Sequence, residues 1–199
     1  MQFPFSIVLA SSSPRRIELI KMLGINLIVE PTHVNEDYPK HLSPYNVSVF
    51  LAEKKMHAAA LNFKPETVLI TADTVVGFNN KVYNKPDSPE DAFQMLTELS
   101  GNTHEVHTSV CIKSKLDSTT ITDTARVTFT NLSPSEIEYY LTTCKPFDKA
   151  GSYGVQDWLG LCCIKQIEGN FYTVMGLPIF KVYQALKPFI LEGKELQLM

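Results

Sequence analysis

The chain is organised around the stretch IVLASSSPRR, residues 7–16. Its apolar first four residues predict a short strand, and Pro14 predicts the first turn of a helix because its ring fixes φ at a helical value. Ser13, just before the proline, is expected to cap that helix by accepting a backbone N–H. The sequence therefore predicts a strand, a serine-rich turn and a helix in direct succession.

Two arginines, Arg15 and Arg16, occupy the first turn of this helix. Because the N-terminal end of a helix is electropositive, each cation costs a few tenths of a kcal/mol to about 1 kcal/mol. They can either extend into water or bind an anion together with the exposed N–H groups and the serine hydroxyls. The serine run favours the second interpretation, with phosphate as the anion.

Composition limits the class of protein. The 199 residues, of which 44% are hydrophobic and 20% charged, predict one domain over residues 1–199, or two closely packed lobes. The net charge of −3 argues against bulk electrostatic binding to nucleic acid or to an anionic membrane. No apolar run approaches the roughly 20 residues of a membrane span. The four cysteines form no C-x-x-C pair, which predicts reduced thiols and a cytoplasmic location.

Helices and strands are predicted to alternate along the chain. Four Ser-Pro pairs, at residues 13–14, 43–44, 88–89 and 133–134, each predict a helix start, and Gly176 to Pro178 precedes a last helix. Runs rich in β-branched residues predict strands at residues 27–29, 67–76, 104–113, 119–130 and 161–167.

The helix that follows Ser43 carries two neighbouring lysines. Projected at about 100° per residue, its apolar side chains form a stripe with Lys54 at the centre and Lys55 nearer the edge. Lys54 is therefore expected either to extend to water or to meet a buried anion, and Lys55 is expected at the surface. The stripe consists of Val47, Phe50, Leu51, Ala58 and Leu61.

Asp73 lies within the most β-like run, TVLITADTVV, residues 67–76. A buried carboxylate needs a partner, so Asp73 is expected to bind a metal, activate water or accept backbone hydrogen bonds. Successive residues of a strand face opposite sides, so Asp73 and Thr74 could share a site only if the strand ended or bulged there. For the same reason His104 and His107 are not expected to share a metal ion.

Three further residues are weaker candidates. Glu36 lies in the proline-punctuated loop of residues 30–41, and Lys85 lies at a strand tip before Pro86. Gln156 ends the segment DKAGSYGVQ, whose glycines allow close approach to a ligand and whose amide could read a base edge.

Together these segments resemble the Maf family of nucleoside triphosphate pyrophosphatases over nearly the whole chain. The segment DKAGSYGVQ, with Thr74 after Asp73, is similar to the branch that acts on dTTP and UTP. The matching segments are ASSSPRR (10–16), AEKK (52–55), ITADTVV (70–76), NKP (84–86), LSGNTHEVHT (99–108), DKAGSYGVQ (148–156) and GLP (176–178).

The resemblance implies an α/β fold of the Maf/ITPase type, with an elongated mixed sheet flanked by helices and a central cleft between two lobes. It also implies a divalent cation, Mg²⁺ or Mn²⁺, and a homodimer. It implies that Asp73 accepts the proton of the attacking water. By the same resemblance, Arg15, Thr74 and Gln156 select the substrate, Ser11, Arg16, Lys54 and Lys85 bind phosphate, and Glu36 and Asp73 bind the metal.

The implied activity is hydrolysis of dTTP and UTP, and of modified pyrimidine nucleotides, to the monophosphate and pyrophosphate. This would prevent misincorporation into nucleic acids, with a further role in arresting cell division. The alternative is a non-catalytic nucleotide-binding regulator of septum formation. The sequence leaves open whether Asp73 acts chiefly as metal ligand or as base, since both roles need the same carboxylate.

Overall fold

The computed structural model describes residues 5–62, 64, 66–115 and 117–191, with only the backbone of residues 190 and 191. Its described part contains one seven-stranded mixed sheet, in the order β2-β1-β3-β5-β6-β7, with β4 also paired to β3. Strands β1 and β2, and β1 and β3, are parallel, whereas the other pairs are antiparallel. The strands are β1 (Ser6–Leu9), β2 (Leu27–Val29), β3 (Thr67–Phe78), β4 (Lys81–Tyr83), β5 (Thr103–Lys113), β6 (Ser118–Phe129) and β7 (Ile164–Glu168).

Helices cover both faces of this sheet, which confirms the predicted α/β fold. The Ser-Pro pairs begin four of them as predicted, and Ser43, Ser88 and Ser133 each accept the expected backbone N–H. Ser13 is the exception, because its side chain makes no capping bond. The helices are α1 (Pro14–Lys21), α2 (Pro44–Ala59), α3 (Pro89–Leu99), α4 (Pro134–Cys144), α5 (Trp158–Cys163), α6 (Phe171–Met175) and α7 (Ile179–Leu191).

The residues from Leu161 to Cys163 correct a sequence prediction, because they form the end of α5 and the strand begins only at Ile164. A short apolar run has the same pattern in a buried strand and a buried helix, so periodicity alone could not distinguish them. The described helices include none with both the length and the apolar character needed to cross a bilayer.

Two separate hydrophobic cores lie side by side on one face of the sheet. The first contains Ala72 and Val110 and packs against α1 and α7, and the second contains Val76 and Val106 and packs against α3 and α4. Between them the sheet presents a polar pair, Thr74 and Thr108, whose hydroxyl oxygens lie 3.0 Å apart. These cores are the two expected lobes, and helix α2 covers the opposite face of the sheet.

One edge of β3 is open between its two neighbours. Strand β1 pairs with it only as far as Ile70, and β4 begins to pair at Val76. Strand β3 itself continues through this gap in regular register with β5. The expectation that β3 must end or bulge near Asp73 is therefore wrong, because the neighbouring strand ends instead. The gap opens a cleft that is accessible from both faces of β3.

Candidate active site

The cleft has a volume of about 560 Å³ and adjoins the open edge of β3. It brings together almost all of the residues that the sequence singled out, including those of both faces of β3. The predicted site residues that line it are Ser11, Arg15, Arg16, Glu36, Asp73, Thr74, Lys85 and Gln156. Lys54 does not line it, whereas Lys55 does.

A four-residue charged cluster, which we call the carboxylate–lysine cluster, forms the α2 side of the cleft. The ammonium of Lys55 lies 2.5 Å from Asp73 Oδ1 and 2.7 Å from Glu36 Oε1. Lys85 contacts the other oxygen of Glu36 at 3.3 Å. The Asp73 side chain is 9% exposed and that of Lys55 13%, so this pair is largely removed from water.

The two carboxylates of the cluster have opposite pKa shifts. Burial raises the pKa of Asp73 above its ordinary value, and the positive charges of Lys55 and Arg16 offset only part of that effect. Burial also acts to raise the pKa of Glu36, but the hydrogen bonds and charges of Lys55 and Lys85 outweigh it and lower the pKa. Glu36 is thus held ionised, whereas Asp73 has a greater affinity for a proton.

The surface position predicted for Lys55 is wrong, whereas Lys54 extends toward water, one of its two expected positions. Lys54 does not lie in a buried stripe: it binds the main-chain oxygen of Asp37 at 3.0 Å near the surface. The buried face of α2 includes Ser48 and Ala52, so compared with the predicted stripe it is rotated about the helix axis toward Lys55. Ser48 can be buried since its hydroxyl bonds that of Ser109 at 2.7 Å. The apolar stripe predicted from the sequence included neither Ser48, which is polar, nor Ala52, which is small.

Arg16 makes four hydrogen bonds to the protein itself. Its Nε donates to the oxygen of Gly176 at 2.8 Å, and Nη1 donates to the oxygen of Ala72 at 2.9 Å. Its Nη1 and Nη2 also donate to the hydroxyls of Ser11 and Thr74, at 3.4 and 2.9 Å. Arg16 thereby joins the serine turn, the open edge of β3 and the end of α6. Its phosphate-binding role stays a prediction, since described protein atoms already accept from four of its five N–H groups.

Arg15 is the more available of the two arginines. Its guanidinium forms one ion pair, with Asp148 at 3.2 Å, and this pair joins the two sides of the cleft. Lys149 also contacts Asp148, at 2.9 Å. Gln156 is exposed at the same side of the cleft, so its amide can meet a ligand.

Thr32 is a cleft residue that sequence reasoning missed. Its hydroxyl oxygen is buried and has no hydrogen-bond partner in the described part of the chain, although the residue lines the cleft. A buried hydroxyl without a partner costs about 1–3 kcal/mol, so Thr32 is a candidate ligand contact. No motif pointed to it. Lys55, by contrast, belongs to the segment AEKK, but the helical projection predicts it at the surface.

The donor set of the cleft fits a hard divalent cation. Glu36 and Asp73 each place one oxygen within 2.7 Å of the same ammonium nitrogen, so the two carboxylates are close neighbours. Mg²⁺ characteristically uses one or two protein carboxylates and completes its shell with water and substrate phosphates. The described residues contain no group of three or more His, Cys, Asp or Glu side chains that could hold a metal ion.

The two histidines of β5 lie on opposite faces, as predicted. His104 bonds the hydroxyl of Tyr153 at 2.8 Å, and burial lowers its pKa to about 4. His107 bonds Thr124 at 2.9 Å on the α2 face. Neither histidine lines the cleft.

Comparison with known proteins gives consistent matches over most of the chain. A sequence model of the family described as "Maf-like protein" matches residues 6–189. The dTTP/UTP pyrophosphatase of Flavobacterium johnsoniae is 42% identical over 186 residues, covering 94% of this chain and 96% of the relative. That of Porphyromonas gingivalis (strain ATCC 33277) is 44% identical over 188 residues, covering 93% and 94%. Among solved structures, the Ham1 protein of Staphylococcus aureus aligns with a TM-score of 0.43 at 15% identity, over 62% of this chain and 71% of that one.

Proposed function

Because the chain belongs to the Maf family, we propose that it is a metal-dependent nucleoside triphosphate pyrophosphatase that hydrolyses dTTP and UTP. The products would be the nucleoside monophosphate and pyrophosphate. The observation that carries the proposal is the meeting of Asp73, Lys55, Glu36 and Lys85 in one cleft that Arg15 also lines. A purely nucleotide-sensing protein would need the cations but no buried carboxylate able to take a proton.

In this proposal Asp73 accepts a proton from the water that attacks the α-phosphorus. Its described hydrogen bond, from Lys55, ends on Oδ1, which leaves Oδ2 for that proton. Lys55, Lys85 and Arg15 would offset the charge of the triphosphate and hold it in position for attack. Glu36 and Asp73 would hold the Mg²⁺ or Mn²⁺ ion, which when bound withdraws charge from phosphate oxygens.

In the same proposal, residues on the face of β3 opposite to α2 select which nucleotide is bound. The Thr74 hydroxyl is fixed by Arg16 and Thr108, so it presents a defined polar group beside the cleft. Gln156 can supply both a donor and an acceptor to a base edge. A cytoplasmic location, a homodimer and the lack of nucleic-acid binding remain predictions from the sequence.

A product assay tests the proposed reaction. The purified protein is incubated with normal and modified nucleoside triphosphates and Mg²⁺ or Mn²⁺ in ¹⁸O-labelled water, and the products are identified. We expect pyrophosphate release, with the label in the monophosphate because water attacks the α-phosphorus. Binding of dTTP without release of pyrophosphate would instead support the nucleotide-binding regulator.

Replacement of the proposed base gives a sharper test. Asp73→Asn should lower kcat by about 10²–10⁴-fold, the usual contribution of a general base, while the fold is retained. Asp37→Asn is the matched control, because Asp37 also lines the cleft but its carboxylate accepts a hydrogen bond from Asn35, at 2.6 Å, and not from a lysine of the cluster. Turnover of dTTP by Asp73→Asn at a near wild-type rate would refute the assignment.

A further inference from the structure

We propose that Lys55 competes with the divalent cation for the carboxylates of Glu36 and Asp73, and that the phosphates of the nucleotide resolve this competition by attracting the lysine. The binding of metal and nucleotide would then be coupled through one side chain. This inference rests on the proposed function, since it takes the polyphosphate and the cation as the ligands of the cleft.

The contacts of Lys55 support such a competition. Its ammonium approaches one oxygen of each carboxylate, at 2.5 Å from Asp73 and 2.7 Å from Glu36. The side chain is only 13% exposed, so this charge is screened by water much less than a surface lysine would be. Lys85 also contacts Glu36, but at 3.3 Å and with a side chain that is 56% exposed. Lys55 is thus the cation that both carboxylates share.

A divalent cation needs the same oxygens, and a positive charge so close to them opposes its entry. The lysine has a flexible four-carbon stem and three N–H donors, so it can exchange one anionic partner for another. The triphosphate supplies such partners within the same cleft. Each ligand should therefore increase the affinity for the other, since coupling between two ligands is reciprocal.

Binding of Mn²⁺ alone, measured by electron paramagnetic resonance without nucleotide, tests this inference directly. The variant Lys55→Gln should bind Mn²⁺ on the order of tenfold to a hundredfold more tightly than the wild type, the range of typical ligand couplings. Lys54→Gln is the matched control, because it removes the same charge from the adjacent residue, whose ammonium binds the Asp37 carbonyl and lies over the Phe50 ring instead of contacting the carboxylates of Glu36 and Asp73. Its Mn²⁺ affinity should stay within about twofold of the wild type.

Two results would overturn the inference. One is that Lys55→Gln binds Mn²⁺ no more tightly than the wild type. The other is that Lys54→Gln gains as much affinity as Lys55→Gln, which would mean that net charge alone sets the affinity.

A measurement on the unaltered protein covers the case in which Lys55→Gln fails to fold. The ammonium hydrogens of Lys55 should give a protected NMR signal because of its two ion pairs, and titration with Mg²⁺ should abolish that protection. Persistence of the signal while Mg²⁺ saturates Glu36 would refute the competition. Neither measurement involves hydrolysis, so failure of the coupling and failure of the proposed activity are distinguishable.

Discussion

Arg16→Met should destabilise the protein far more than the same change at the adjacent Arg15. Arg16 donates to two main-chain oxygens, those of Gly176 and Ala72, at 2.8 and 2.9 Å. Each buried carbonyl that loses its partner costs about 1–3 kcal/mol. Because the site borders a water-accessible cleft, we expect a loss of about 2–4 kcal/mol in the free energy of unfolding. Arg15→Met breaks one partly exposed ion pair and should cost about 0–1 kcal/mol.

Urea unfolding followed by circular dichroism measures both losses, at one protein concentration so that any association is held constant. The midpoint should fall strongly for Arg16→Met and little for Arg15→Met, with similar slopes. Nucleotide affinity should show a different order, because Arg15 has the guanidinium that is available to a ligand. Equal midpoints for the two variants would refute the structural role inferred for Arg16.

Two other predictions concern acidity and packing. The pKa of Asp73 is raised by burial above its ordinary 3.8, so kcat/KM should fall on the acid side at a pH above 3.8, where the base becomes protonated. Because Lys55 lowers this pKa, Lys55→Gln should move the acid limb of the pH–rate profile higher, and an unmoved limb would contradict the assignment. Gly160→Ala should cost about 3 kcal/mol in urea unfolding, since its Cβ would lie 1.9 Å from the Val155 oxygen. Gly24→Ala, which meets no atom within 4 Å but has φ +69°, should cost only about 1 kcal/mol, and equal losses would refute the packing argument.

Local chemistry explains why much of the fold was predictable. A serine followed by a proline specifies a helix start through interactions within one turn, and three of the four such pairs formed the expected cap. The tight turn at Asn79 and Asn80, both with positive φ, likewise follows from residues that tolerate this conformation. These features need no knowledge of distant contacts.

Features decided by tertiary packing were not predictable in the same way. The difference between Lys54 and Lys55 depends on Ser48, whose burial requires a partner on a strand 61 residues further along the chain. Asp73 and Thr74 line the same cleft because the neighbouring strand β1 stops pairing with β3 at Ile70. The sequence of β3 does not show where β1 ends. Periodicity describes the shape of one element, whereas these properties belong to pairs of elements.

The gap beside β3 has a consequence for how such an enzyme could diversify. Asp73 meets the charged cluster on one face of the strand, and Thr74 meets Arg16 and Thr108 on the other. In the proposed reaction, bond cleavage and base selection would thereby be supplied by different layers of the molecule, on opposite faces of one strand. Changes in the second layer could alter which nucleotide is accepted while the first remains intact, so new preferences could arise without rebuilding the reactive centre.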